Sequence, residues 1–318
     1  MVVVLRRCLV LVVAVGWLGL SGGSGIALAQ DGTPAVPAVA QEAATKVDEG
    51  ERPLPDIPAL MQEVLKNQRK EEAVRKDYLY HAVQTSRETD GHGGVKKTET
   101  KEYDIFWVGG VPVQRLVKKD GKELSADEQK NENERIDKEV AKAKQKREKA
   151  DSQGKETDPR GNEEITPSRF LALGTFTNPR RVKLNGRDTI AVDYAGDPKA
   201  KTKNRAEDVV RDLLGTVWVD EEDKMIVKLE GRFVNAFKIG GGLVVNIQKD
   251  TNFAMQMKKV NDEVWLPVEI SGHGAIRFLL VMNFRGDEQA VFSDYRKFKA
   301  TSTILPGVST VEPEPDPK

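Results

Sequence analysis

The sequence predicts a mainly antiparallel β protein with some α, its one wide sheet curved around at least one helix. Three observations predict it. From Ile165 to Phe298, apolar residues recur at every second position in runs separated by acidic, Asn-Gly or glycine turns. An amphipathic helical segment precedes the first long strand. The runs follow one another as a meander, which suits one wide sheet.

Taken in order, the chain begins with an export signal over 1–29. Arg6 and Arg7 form a positive start, Leu9 to Leu20 is almost wholly apolar, and Ala27-Leu28-Ala29 ends in a small-residue cleavage site before Gln30. The apolar run is short for a span, so removal is expected and a retained anchor is the alternative. Cys8 is the one cysteine and precedes that run, so the exported chain carries no thiol nucleophile, disulfide or cysteine-bound metal. Fifty basic and fifty acidic side chains balance, and no basic patch interleaves with aromatics, which argues against nucleic acid. The expected location is the periplasm.

Residues 30–58, rich in Ala, Pro and charge, read as a flexible leader. A single domain is expected over 59–300. Pro58 suits the start of a helix carrying Leu60, Met61, Val64, Leu65, Ala73 and Val74. Loose alternation around Tyr78, Tyr80 and Ala82 gives way to a turn at 90–94. A strand with Tyr103, Ile105 and Trp107 on one face and Phe106 and Val108 on the other follows, then a short strand and an Asp120-Gly121 turn. Residues 126–150 are a charged helical insertion with a thin apolar stripe of Ile136, Val140 and Ala143. The composition reads as a solvated helix docked lightly, with partner recognition as the alternative; 151–162 reads as a mobile connector.

Beyond Ile165, Phe170 to Phe176 is either a short helix or a strand, broken by Asn178-Pro179. Asn185-Gly186 marks a hairpin. Lys199 to Asp212 reads as a loop with a helical turn. Val217 and Val219 alternate with Trp218, and "DEED" at 220–223 is a solvated hairpin rather than a spaced calcium loop. Glycines at 239–243 form a turn or bulge without the Lys-Ser/Thr of a phosphate loop. Val264, Leu266, Val268 and Ile270 share a face, with Pro267 expected at an edge, bulge or bend. "SGHG" at 271–274 reads as a turn, and Ile276, Phe278, Leu280, Met282 and Phe284 as one further strand. Residues 301–318 are a flexible tail.

The export signal, the helix before the first long strand, and the succession "GTVWVDEEDKMIVKLEG", "VWLPVEI", "IRFLLVMNFR" and "VFSDYRKF" resemble the outer-membrane lipoprotein-sorting protein superfamily. The match is best over 215–298. That superfamily includes the periplasmic lipoprotein carrier and its outer-membrane receptor. The resemblance implies an incomplete antiparallel barrel, a curved open half-barrel wrapping one or more helices, with an apolar cavity for acyl chains. The charged helix falls outside the common pattern, and no cavity-closing arginine matches residue by residue.

The candidate cavity lining is Trp107, Trp218, Phe233, Phe237, Phe253, Met255, Met257, Trp265, Phe278, Leu280 and Met282, since aromatic and methionine side chains suit flexible apolar ligands; ordinary core is the competing reading for each. Arg277, Arg285 and Arg296 are rim or headgroup candidates. Ser271 and His273, with Asp223 or Asp262, lack a nucleophile elbow, so no catalytic residue is assigned and no enzyme is expected. No cofactor and no metal site are expected. The expected function is a non-enzymatic periplasmic binder or carrier of a lipid, lipoprotein or other apolar envelope molecule. The alternative is a structural or protein-protein interaction module with a filled core. Expected partners are an acyl-chain or lipoprotein ligand, an envelope protein and transient contact with a membrane surface.

Overall fold

The structure is a computed structural model and describes residues 45–46, 52–90, 92–154, 157–162, 172–203, 205–239, 245–278 and 282–298. The expected signal, most of the leader, residues 240–243 of the glycine run and the tail lie outside the described residues. The strands are β1 (Thr45–Lys46), β2 (Tyr78–Thr89), β3 (Val95–Val108), β4 (Val111–Lys119), β5 (Lys122–Glu123), β6 (Gly174–Leu184) and β7 (Arg187–Gly196). They continue with β8 (Leu213–Asp220), β9 (Ile226–Phe233), β10 (Phe237–Ile239), β11 (Val245–Ile247), β12 (Asn252–Val260), β13 (Val264–Phe278) and β14 (Met282–Lys297). The helices are α1 (Ile57–Arg75), α2 (Ala126–Asp151) and α3 (Arg205–Arg211).

The strands hydrogen-bond in the order β1-β6-β7-β8-β9-β12-β13-β14-β2-β3-β4-β5, with the β10–β11 hairpin joined to β13. The path ends at two different strands, so the sheet is open, and the pairings from β2 to β4 and from β6 to β9 are antiparallel. The expected fold class is the one observed. The chain divides into two compact units, each built from several stretches. The first takes the chain up to Arg69, with Ile165–Lys258 and Glu269–Asp287; the second takes Lys70–Glu164, Lys259–Val268 and the chain from Glu288.

In the first unit, the Asp56 carboxylate accepts the Ala59 N–H at 3.0 Å and starts α1. Leu60, Met61 and Val64, spaced to share a helix face, are buried against Ile190, Val192, Val217 and Val219. Burial of each stabilises by about 1.5–3 kcal/mol, which is what holds this helix on the sheet. Asn185 and Gly186, at φ 50° and 76°, make the two-residue turn between Leu184 and Arg187, as the sequence predicts.

Three expectations are corrected here. Asn178-Pro179 does not break the chain: β6 runs through it on a bulge between Thr177 and Arg180, with Asn178 at φ 52° and a proline that needs no ladder N–H. "SGHG" is not a turn, because β13 continues through 271–274. A Cβ on Gly274 would lie 2.5 Å from the Thr251 side chain, so glycine serves close approach there rather than a reversal. The expected strand over 276–284 is divided between the end of β13 and the start of β14.

In the second unit, Asp90 Oδ1 accepts the His92 and Gly94 N–H groups, both at 2.8 Å, and closes the β2–β3 turn. Asp120 and Gly121, at φ 47° and 73°, close the next reversal. Ser125 and Glu128 form a capping box that starts α2. Ile136, Val140 and Ala143 are buried on Phe106, Val111 and Val113, so the charged helix is packed rather than lightly docked. Residues 157–162 of the expected mobile connector form a turn in which Asp158 Oδ1 accepts from the Arg160 and Asn162 backbones. Lys146 of α2 donates to Asn162 Oδ1 at 3.0 Å. Pro267 is not on an edge strand, since β13 lies between β12 and β14; its carbonyl accepts the Tyr295 hydroxyl.

Candidate functional site

Cross-strand register decides which candidates share a face. Val217 pairs with Val192 and Leu229, and Leu229 with Met255. Because α1 rests on Val192 and Val217, this row lies on the helix side of the first unit's sheet. In the adjoining row, Tyr194 faces Gly215, Gly215 faces Gly231, and Gly231 faces Phe253. Leu213 faces Phe233 in the next. Phe233, Phe253 and Met255 therefore share the helix side, and Met257 follows Met255 in parity.

Two glycines meet in the middle of that row, and neither leaves open space: a Cβ on Gly215 would lie 2.1 Å from the Glu230 carbonyl oxygen, and one on Gly231 would lie 2.4 Å from the Phe253 Cζ. Phe233, Phe237 and Phe253 join Val209, Val245 and Ile247 in one buried cluster, with the Phe233 and Phe237 ring centroids 6.2 Å apart. At the border of this cluster Leu213, Leu229 and Ile276 are half-buried, as is Met255. Leu229 also touches the cluster beneath α1. Tyr194 tilts against Phe176 at 5.1 Å, and its hydroxyl, which burial pushes up from the ordinary tyrosine range, donates to the Val210 carbonyl at 3.3 Å. The helix side is thus a continuous apolar band, sealed at two places and half-open between them.

The remaining candidates lie elsewhere. Trp218 pairs with Ala191 and Lys228 on the opposite face, and the Lys228 ammonium sits 4.7 Å over its ring. That face is polar: Asp193 accepts from Arg180, Asn178 and Thr216 at 2.8–2.9 Å. Trp107 and Trp265 belong to the second unit. Trp107 is half-buried with the Lys76 ammonium 5.8 Å from its ring centroid, and Trp265 is buried with its backbone N–H donating to Glu71 at 3.2 Å. The backbones of Phe278 and Met282 lie in β13 and β14. Leu280 lies outside the described residues. Of the arginines, Arg285 and Arg296 are exposed. Arg277 pairs across from Asn246, and its Nε is buried with no hydrogen-bond partner among the described residues. Its neighbour Ile276 joins the phenylalanine cluster, so Arg277 points to the other face.

The "DEED" segment is not a free hairpin. Arg187 holds Asp220 at 2.5 and 2.9 Å and reaches Glu222 and Asp223 at 3.1 Å. Arg181, buried, holds Glu221 through two bonds of 2.8 and 2.7 Å and donates to the carbonyls of Arg52 and Pro53 at 2.9 and 3.2 Å. The Arg181 guanidinium keeps the Glu221 carboxyl below the usual range. Arg187, Asp220, Glu221 and Glu222 border a polar cleft of about 480 Å³ with Arg52, Lys183 and Asp188 on its walls. Its charges bind one another, and its architecture is that of a clamp on residues 52–53. No expectation from sequence singled out these arginines; their signal is the pair Arg181 and Arg187 on the two strands of one hairpin, followed by an acidic turn.

His273 Nδ1 lies 2.7 Å from Asp287 Oδ1, both largely exposed, while Asp223 is held by Arg187. Among the described residues no group of three His, Cys, Asp or Glu side chains is placed to hold a metal ion. No described helix is long and apolar enough to cross a membrane.

Neither a family model nor a curated relative matches the sequence. Among solved structures, a LolA superfamily protein from Nitrosomonas europaea matches at 10% identity and a TM-score of 0.33, over 76% of this chain and 94% of that one. A DUF1329 family protein from Desulfovibrio piger matches at 10% identity and a TM-score of 0.31, over 78% and 96%. A Pseudomonas aeruginosa MucA/MucB complex matches at 7% identity and a TM-score of 0.20, over 75% and 100%.

Proposed function

We propose that the protein is a non-enzymatic periplasmic binder or carrier of an apolar envelope molecule, a lipid or the acyl chains of a lipoprotein. The observation that carries this reading is the half-open apolar band on the helix side of the first unit. Leu213, Leu229, Met255 and Ile276 stay half-buried between two sealed clusters, in a sheet whose other face is polar. Methionine and leucine there suit a flexible chain of methylenes, each worth about 0.8 kcal/mol when buried. Phe233, Phe253, Met255 and Met257 line or floor the site in this reading, and Phe237 backs it. The export signal read in the sequence supports it, since the envelope is where such a ligand occurs.

A second reading has its own observation. Phe233, Val245 and Ile247 are almost fully buried, so part of the candidate lining is closed core, as an interaction module with a filled interior requires. An anthroyloxy-labelled fatty acid separates the two. Under the first reading it binds the chain from Gln30 onward saturably, and Met255→Gln weakens it about tenfold, because an unpaired amide beside an acyl chain costs about 1–3 kcal/mol. Absence of saturable uptake by the unaltered protein refutes the carrier reading and favours the filled module.

A further inference from the structure

The charged helix answers a problem posed by the neighbouring strand. β5 covers β4 only at Lys118 and Lys119, which leaves the outer edge of β4 from 111 to 117 without a strand partner among the described residues. Such an edge is a template for pairing with another chain. Here its groups are met one by one by side chains. The Leu116 N–H donates to the buried Glu132 carboxylate at 2.8 Å. The Gln114 carbonyl accepts from Arg135, the Pro112 carbonyl from Arg160 at 3.3 Å, and the Gly110 carbonyl from Arg147 at 3.4 Å. These even-numbered residues all direct their polar groups away from β3, and at one of them proline removes the donor altogether.

The guard is itself held in place. Arg135 binds Glu132 and Glu139 at 2.8 Å, and Ile136, Val140 and Ala143 anchor the helix on Phe106, Val111 and Val113. The turn bearing Arg160 is pressed on α2: a Cβ on Gly161, at φ 73°, would lie 2.5 Å from Lys146 Cβ. The segment from Ser125 to Asn162 therefore supplies two guanidiniums and one carboxylate to three successive outward positions of β4, and a third guanidinium to Gly110 in the turn before it.

We propose that α2 and the turn after it are an edge guard, which prevents a second copy of this chain from adding its own β4 to this strand. The occupant excluded is another copy, because an antiparallel edge is complementary to itself about a twofold axis. The role is independent of any ligand on the first unit.

The test replaces the carbonyl donors in the full exported chain, Arg135→Gln, Arg147→Gln and Arg160→Gln together, and follows mass against concentration by light scattering. The unaltered protein should stay monomeric through β4, and the triple variant should form dimers and larger species as concentration rises. Adding Gln114→Pro should restore the monomer. It deletes an outward N–H that the β3 ladder does not use, because a residue's N–H and C=O point to the same edge. Arg135→Gln alone serves if the triple variant fails to fold; it should give weaker self-association, again suppressed by Gln114→Pro. A variant that stays monomeric at every concentration overturns the proposal. So does self-association that Gln114→Pro leaves unchanged, since it would not run through this edge.

Discussion

The Phe253 ring and Gly231 should behave as one unit. Phe253→Ala removes a buried ring and should cost about 3–5 kcal/mol. Gly231→Ala alone forces a methyl to within 2.4 Å of that ring, an overpacking cost of about 1–3 kcal/mol, offset by about 0.5–1 kcal/mol from the less flexible unfolded chain. Ring atoms are the near neighbours of that methyl, so removing the ring removes the clash. In the Phe253→Ala background, Gly231→Ala should therefore become neutral or stabilising, a coupling of about 1–3 kcal/mol. Urea unfolding of the four proteins measures it. Effects that add within about 0.5 kcal/mol would refute the placement of the ring over Gly231, and with it the geometry of the candidate site.

Three further outcomes follow from other parts of the chain. Glu221 is held below its ordinary value by Arg181, so its contribution to stability is present at neutral pH and is lost as pH falls through the folded value. Glu221→Gln should lower stability at pH 7 and flatten the acid side of the stability curve; parallel curves at every pH would show that the clamp contributes nothing. Ser125→Ala removes a helix cap and should cost about 1 kcal/mol in thermal unfolding followed by circular dichroism. Its partner Glu128 is drawn down to about 2 by Lys119 and by the Ser125 cap, so the carboxylate half of the box should persist until strong acid. Gly186→Ala places a side chain at φ 76° in open space, so its cost, about 1–2 kcal/mol, is purely conformational; Gly186→Asn should recover part of it.

Local chemistry made much of the fold legible. Asn185-Gly186 located a hairpin to the residue, Asp120-Gly121 another, and the period of Leu60, Met61 and Val64 a buried helix face. Parity also separated Trp218 from Val217 and Val219, although it does not say which face a helix will cover. Glycine was the main source of error. At "SGHG" it marks a strand passing close to Thr251, and a turn and a close approach look alike in sequence. The arginine clamps escaped notice because Arg181 and Glu221 are 40 positions apart. The charged helix looked like solvated surface because its charges serve a strand edge, a role with no pattern within the helix itself.

Native mass spectrometry of the protein isolated gently from an envelope extract tests the proposed function most directly. The expected result is a stoichiometric acyl-containing adduct, lost in Met255→Gln. A protein that emerges empty, and takes up neither lipid nor acylated peptide when challenged, would contradict it.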